Sequence, residues 1–146
     1  EDGRIGILDF GCVKDIPEDF YTEFFRLVRP DYLDDPEESA KIFEDLGFIF
    51  PDDTPEEREA YVNIFSEGIR LLGRPFFQPS FDFSDKAYFK EIFEMGEGLS
   101  KNKMLRKSKR SRGNSHGIYI NRTYFGLYNI LHMLEANIET PTTFPE

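Results

Sequence analysis

The sequence predicts a mainly α-helical protein in which a short N-terminal strand or hairpin precedes about five helices. Helix-start signals recur along the 146 residues, each with an acidic residue or Thr close to a Pro and further acidic residues. Apolar residues then recur three and four positions apart, which indicates helices with one buried face. We divide the chain into residues 1–14, a strand and loop, and residues 15–146, a helical subdomain.

The N-terminal strand is predicted from an alternating pattern. Ile5 and Ile7 alternate with polar or small residues, and the apolar run leads directly into Asp9-Phe10-Gly11. In kinases such a triplet follows a strand and places its carboxylate on the magnesium ion that bridges the nucleotide phosphates. The alternative is a plain turn, with Phe10 in the core and Gly11 supplying backbone freedom.

Three helices are predicted in the first half of the chain. The first begins near Pro17, where Glu18 and Asp19 suit the positive end of the helix dipole, and it ends before Pro30. Asp35 is expected to cap the second helix, and Gly47 to end it. Thr54 and Glu57 form a capping box for a third helix that runs to about Leu72.

Two further helices are predicted in the second half. Residues 74–83 are rich in Phe and Pro, so we expect an irregular segment that packs against the core. Ser84 is expected to cap the fourth helix. The last helix is predicted from Ile120 to Ile138, and because it is apolar over more than half of its circumference we expect it to be central.

Composition restricts the classes of function. Hydrophobic residues make up 39 % of the chain, including 16 Phe, which is enough to build a core. A net charge of -10 repels a phosphate backbone, so we expect no nucleic-acid partner. The single cysteine, Cys12, excludes an internal disulfide and a cysteine-rich zinc site. No apolar run approaches the ~20 residues that span a bilayer, and we expect a cytoplasmic protein.

A basic segment interrupts this acidic chain. Seven of the twelve residues from Lys101 to Arg112 are basic: Lys101, Lys103, Arg106, Lys107, Lys109, Arg110 and Arg112. Such a cluster can hold a protein peripherally on an anionic membrane. The alternative is a solvated, mobile loop that offsets the acidic remainder, which is the interpretation we prefer.

Two segments resemble the AarF/UbiB family of atypical kinases, which is associated with ubiquinone and other isoprenoid quinone biosynthesis. The first is Asp2-Gly-Arg-Ile-Gly-Ile-Leu-Asp-Phe-Gly-Cys-Val-Lys. The second is Tyr119-Ile-Asn-Arg-Thr-Tyr-Phe-Gly-Leu-Tyr-Asn-Ile-Leu, which is similar to a late helix of the family. The turn from Asp45 to Phe48 matches more loosely. The resemblance covers the part of the family domain that begins at its metal-binding loop.

The resemblance implies the C-terminal lobe of a protein-kinase-like fold. It implies Asp9 as a ligand of Mg²⁺, Phe10 and Gly11 as cofactor-binding residues that support the metal-binding loop of Asp9, and Mg-ATP as the cofactor. The family's nucleotide-clamping lysine and its catalytic loop would lie before Glu1, where the chain begins without an initiator Met. We therefore expect a fragment whose partner is the missing N-terminal lobe, and which is inactive alone.

A different class of function is also open. The Phe-rich segment at 74–83 and the wide apolar face of the last helix would equally suit a non-catalytic, all-helical interaction module. Arg122, at the start of that helix, is expected to pair with a buried carboxylate. His116 and His132 are interpreted as structural, because two distant histidines without cysteine or a carboxylate cluster make a poor zinc site.

Overall fold

The computed structural model describes residues 13–108 and 110–140. Within them the chain is mainly helical, which confirms the predicted fold class. Residues 13 and 14 have no regular structure, and the rest of the predicted N-terminal strand lies outside the described residues. In chain order the elements are α1 (Glu18–Arg26), α2 (Pro30–Leu33), α3 (Pro36–Asp45), α4 (Pro55–Gly73), a 3-10 turn (Arg74–Phe77), β1 (Ser80–Asp82), α5 (Lys86–Lys101), α6 (Lys103–Lys107), α7 (Ser115–Met133) and β2 (Asn137–Glu139).

The predicted caps of α3 and α4 are confirmed. The Asp35 carboxylate accepts hydrogen bonds from the backbone N–H groups of Glu37 and Glu38, at 2.9 and 3.2 Å. The Thr54 hydroxyl accepts from the Glu57 N–H, while the Glu57 carboxylate accepts from the Thr54 N–H. These contacts satisfy backbone donors that have no partner inside the helix, so both starts are encoded locally.

Two glycines join the end of α3 to the start of α7. Gly47 has a φ of +74°, which lets the chain reverse after α3 while the Phe48 N–H bonds back to the Phe43 carbonyl. The Gly113 N–H donates to the Gly47 carbonyl at 2.7 Å. Gly113 has a φ of +89°, and a Cβ there would lie 3.0 Å from the Phe48 ring. Gly113 therefore permits this close approach.

The core consists of two clusters that share α7. The first cluster gathers α1, α3 and α4, and α7 contributes Ile120 to it. The second surrounds the two-stranded sheet and α5, and α7 contributes Tyr128 and Leu131. Tyr124 packs against both clusters. The last helix is thus central to the packing, as predicted, although its opposite side is not covered by the described residues.

The structure corrects three predicted boundaries. The cap of α5 is Asp85 rather than Ser84, because the Asp85 carboxylate accepts from the N–H groups of the first turn. The last helix begins at Ser115 and ends at Met133, not at 120 and 138. Asn114 caps its start through a hydrogen bond from the His116 N–H. Beyond its end the chain forms β2, which pairs antiparallel with β1.

The Phe-rich segment packs down, as predicted, but it is not wholly irregular. Residues 74–77 form a 3-10 turn and residues 80–82 form β1. Phe81 and Phe83 are buried in the second cluster, whereas Phe77 stays 38 % exposed. Pairing of Phe81 with Ile138 places an apolar cross-strand pair over this cluster.

Two buried tyrosines of the second cluster provide a matched stability test. The Tyr128 hydroxyl donates to the Leu72 carbonyl at 2.9 Å, whereas the buried Tyr88 hydroxyl has no partner among the described residues. We expect Tyr128→Phe to lower the free energy of unfolding by about 1 kcal/mol, and Tyr88→Phe to leave it unchanged or raise it. Urea denaturation measures both, and equal losses would contradict the assignment.

Candidate functional site

The residues predicted to bind the metal and nucleotide, Asp9, Phe10 and Gly11, lie outside the described residues. The described chain starts at Val13, and the Lys14 ammonium lies 4.9 Å from the centre of the Tyr119 ring on α7. Within residues 13–108 and 110–140, no three His, Cys, Asp or Glu side chains come together as a metal site. The magnesium site therefore remains a prediction from sequence.

The basic segment contains the most buried ion pair of the described chain. Arg112 binds Asp53 through two parallel hydrogen bonds of 2.8 and 2.6 Å, and both side chains are less than a tenth exposed. The same guanidinium donates to the Phe48 carbonyl and lies 3.5 Å from the centre of the Tyr61 ring. Arg112 thus fastens the segment before α7 to the loop between α3 and α4.

The Asp53 carboxylate is held in its charged form. The hydrogen bonds from Arg112 lower its pKa below the ordinary value, against the opposing effect of burial. The Phe50 N–H also donates to Asp53, at 2.7 Å. In turn, Asp53 raises the pKa of Arg112. A bidentate pair stacked on an aromatic ring uses the planar geometry of arginine, which lysine lacks.

The interpretation of the basic segment as a solvated, mobile loop is therefore wrong for part of it. Arg110 pairs with Asp52, and Lys101 pairs with Glu97 one turn earlier on α5. Residues 103–107 form the helix α6, capped by the Asn102 side chain. Three basic side chains of α6 make no ion pair within the described residues: Lys103, Arg106 and Lys107. The segment flanks an open cleft of about 590 Å³ next to α4.

Seven of the eleven exposed large apolar side chains of the described residues lie on α7 and its C-terminal cap. Seven large apolar side chains there are between 43 and 83 % exposed. We call this surface the outer face of α7; its members are Ile118, Tyr119, Phe125, Leu127, Ile130, Met133 and Leu134. Helices that are apolar on all sides are normally buried on all sides. The structure confirms that α7 is apolar over a wide part of its circumference, as the sequence predicts. Only about half of this apolar surface packs in the internal core.

The remaining candidates on α7 take ordinary positions. Arg122 is exposed and forms no ion pair with the described residues, so the predicted pairing with a buried carboxylate is not observed there. His132 donates from Nδ1 to the Phe83 carbonyl at 2.6 Å and stacks on Phe89. His116 packs against Phe20. These contacts are those of packed side chains.

The described residues define a small helical protein with a two-stranded sheet, an internal ion-pair clamp and one open apolar helix face. None of its helices combines the length and apolar character required to cross a membrane. In comparisons with protein-family models, with curated proteins and with solved structures, nothing matches the chain. The functional assignment consequently depends on the residues themselves.

The clamp between Arg112 and Asp53 is expected to support the fold. Arg112→Met leaves a buried carboxylate without its partner, and we expect the free energy of unfolding to fall by about 3 kcal/mol. Arg110→Met is the matched control, because the Arg110–Asp52 pair is more than half exposed and should contribute less than about 1 kcal/mol. Urea denaturation near neutral pH compares them, and equal losses would refute the clamp.

The same clamp predicts a pH dependence. The pKa of Asp53 in the folded protein lies below the unfolded value of about 3.9, so its stabilisation is present above about pH 5. It is lost as the pH falls through the folded pKa. We expect the stability difference between wild type and Asp53→Asn to be largest above pH 5 and to shrink on acidification. A constant difference down to pH 3 would show that Asp53 is not held charged by Arg112.

Proposed function

We propose that the chain is part of an atypical kinase or ATPase of the AarF/UbiB type that binds Mg-ATP and acts in ubiquinone or other isoprenoid quinone biosynthesis. The observation that carries the proposal is the run Ile-Leu-Asp-Phe-Gly at residues 7–11, directly before a helical unit. The Asn-Arg-Thr and Gly-Leu steps at residues 121–127, which lie on α7, support it. The mainly helical fold is what a kinase C-terminal lobe requires.

The proposal gives this chain a limited share of the chemistry. Asp9 would bind Mg²⁺, and the metal would neutralise the charge of the nucleotide phosphates. Phe10 and Gly11 would hold the loop that presents the carboxylate. The lysine that clamps the phosphates and the catalytic loop would come from a preceding lobe of the same protein. Accordingly, we expect no ATP turnover from residues 1–146 alone.

Replacing the proposed metal ligand tests this function in the protein from which the chain comes, purified at its natural length. We expect Asp9→Asn to lower Mg²⁺-dependent ATP turnover at least about 100-fold, because an amide no longer neutralises the metal's charge. Turnover is measured by phosphate release at saturating ATP. Asp15→Asn is the matched control, since Asp15 is exposed six residues later. Unchanged turnover in Asp9→Asn would refute the assignment.

The second candidate is a non-catalytic helical interaction module. The observation that favours it is the outer face of α7, which gathers seven exposed large apolar side chains on one helix and its cap, whereas an ordinary surface exposes such side chains singly. The two candidate functions predict opposite results for the same variants. An interaction module keeps its function when Asp9 is replaced and loses it when the outer face is made polar.

A further inference from the structure

The cleft beside α6 lies between two parts of the chain. One wall is α6 with the residues that follow it, and the other is the loop between α3 and α4 with the start of α4. Its volume of about 590 Å³ is within the range of small-molecule binding sites. Its charged lining consists of two lysines, two arginines and three carboxylates. The balance between these charges decides which molecule the cleft can hold.

The carboxylates of the cleft already have partners inside the protein. Its two aspartates form ion pairs with its two arginines, as described above. Glu57 belongs to the capping box of α4, where its carboxylate accepts from the Thr54 N–H at 3.1 Å. It also lies at the positive end of the α4 dipole, which stabilises its charge. Each of the three carboxylates therefore has a partner within the protein.

The two lysines of the cleft have no such partner. Lys103 and Lys107 are exposed, and neither forms an ion pair within the described residues. They lie one turn apart on α6, so that two like charges repel each other on the same face of the helix. The chain has a net charge of -10 and 28 acidic residues, yet none of the described acids pairs with these lysines. The α6 wall therefore carries an uncompensated positive charge.

The position of α6 is fixed by the rest of the fold. The Asn102 side chain accepts hydrogen bonds from the N–H groups of Met104 and Leu105, at 2.9 and 3.2 Å. Met104 and Leu105 also pack against the first core cluster. The backbone of Lys103 and Lys107 belongs to this anchored segment, so both side chains start from fixed points. A site that is positioned before binding loses less free energy when it holds a ligand.

We propose that the cleft beside α6 binds the phosphate or diphosphate group of a small molecule, held by Lys103 and Lys107. A lysine ammonium binds phosphate as a point charge, and one multiply charged anion removes the repulsion between the two lysines. The acidic opposite wall disfavours an evenly charged polyanion such as nucleic acid. A lipid headgroup and a soluble phosphate ester present the same group, so either can supply it. The proposal does not rest on the ATP chemistry of Asp9.

Calorimetric titration with sodium pyrophosphate, without Mg²⁺ and at low salt, is the first test on the protein at its natural length. We expect saturable binding that the double variant Lys103→Gln/Lys107→Gln weakens at least about tenfold, because it removes both charges. Lys86→Gln/Lys90→Gln is the matched control, since these two lysines are also exposed and four residues apart, on α5. No binding by the wild type, or equal affinity of the two double variants, overturns the proposal.

Flotation with lipid vesicles identifies the source of the phosphate group. Vesicles of phosphatidylcholine that contain phosphatidic acid are compared with vesicles of phosphatidylcholine alone. Binding to the acidic vesicles that is lost in Lys103→Gln/Lys107→Gln assigns the cleft to a lipid headgroup. Vesicle binding that is absent, or that the variant leaves unchanged, assigns the cleft to a soluble phosphate compound. A phosphate group bound by the two lysines is common to both results.

A variant of the opposite wall is expected to change the affinity in the other direction. Glu57→Gln removes a negative charge that lines the same cleft as the two lysines, while glutamine also completes a capping box. We expect pyrophosphate to bind at least about threefold more tightly, with unchanged thermal stability. Glu56→Gln is the control, because Glu56 lies in the same first turn of α4 but does not line the cleft. Unchanged or weaker binding by Glu57→Gln, or equal tightening in both variants, would show that the proposal is wrong.

Discussion

The fold depends on the contact between Tyr124 and Tyr128, neighbouring rings on α7 whose centres are 6.1 Å apart. Tyr124 makes edge contacts with Phe25 and Phe76, and Tyr128 packs on Phe83. The two clusters therefore meet at this turn of α7 and at Phe76 of the 3-10 turn, which also packs against both. Because the domain buries many aromatic rings and has no tryptophan, its core is a chain of ring contacts, and α7 provides the central link.

This position explains why α7 has so little charge. A helix that contacts one core needs a single apolar stripe, whereas α7 has to reach clusters on both flanks and so carries rings and aliphatic side chains over a wide arc. That requirement accounts for the inner positions and the flanks. It does not account for Tyr119, Gly126 and Met133, which point away from both clusters and are exposed. The outer face is therefore not accounted for by the internal core of the described residues.

The features that the sequence predicts correctly are those set by interactions between residues close together in the chain. The caps at Asp35 and Thr54 and the reversal at Gly47 are set by neighbours within a few residues, and they were predictable. The pairing of β1 with β2 joins segments more than fifty residues apart, and three-residue strands carry almost no periodic signal. The sequence predicts the end of the last helix too late because the apolar pattern continues through Ile138, which belongs to β2. The proposed metal ligand Asp9 is predicted only from a motif, and in the sequence the outer face is visible only as an excess of apolar residues.

The basic segment shows why charge along a sequence differs from charge on a surface. Counted by residue, Lys101 to Arg112 is the strongest positive run of an acidic chain. In the folded protein, Asp53 and Asp52 neutralise Arg112 and Arg110, and the first of these pairs is withdrawn from solvent. The segment is therefore partly a structural clamp that orients the start of α7 through Gly113. Among the described residues of the segment, the cations without an ion pair are those of α6, and they are fewer than the sequence count implies. A functional interpretation of such a basic run therefore has to leave out the side chains that form ion pairs within the folded protein.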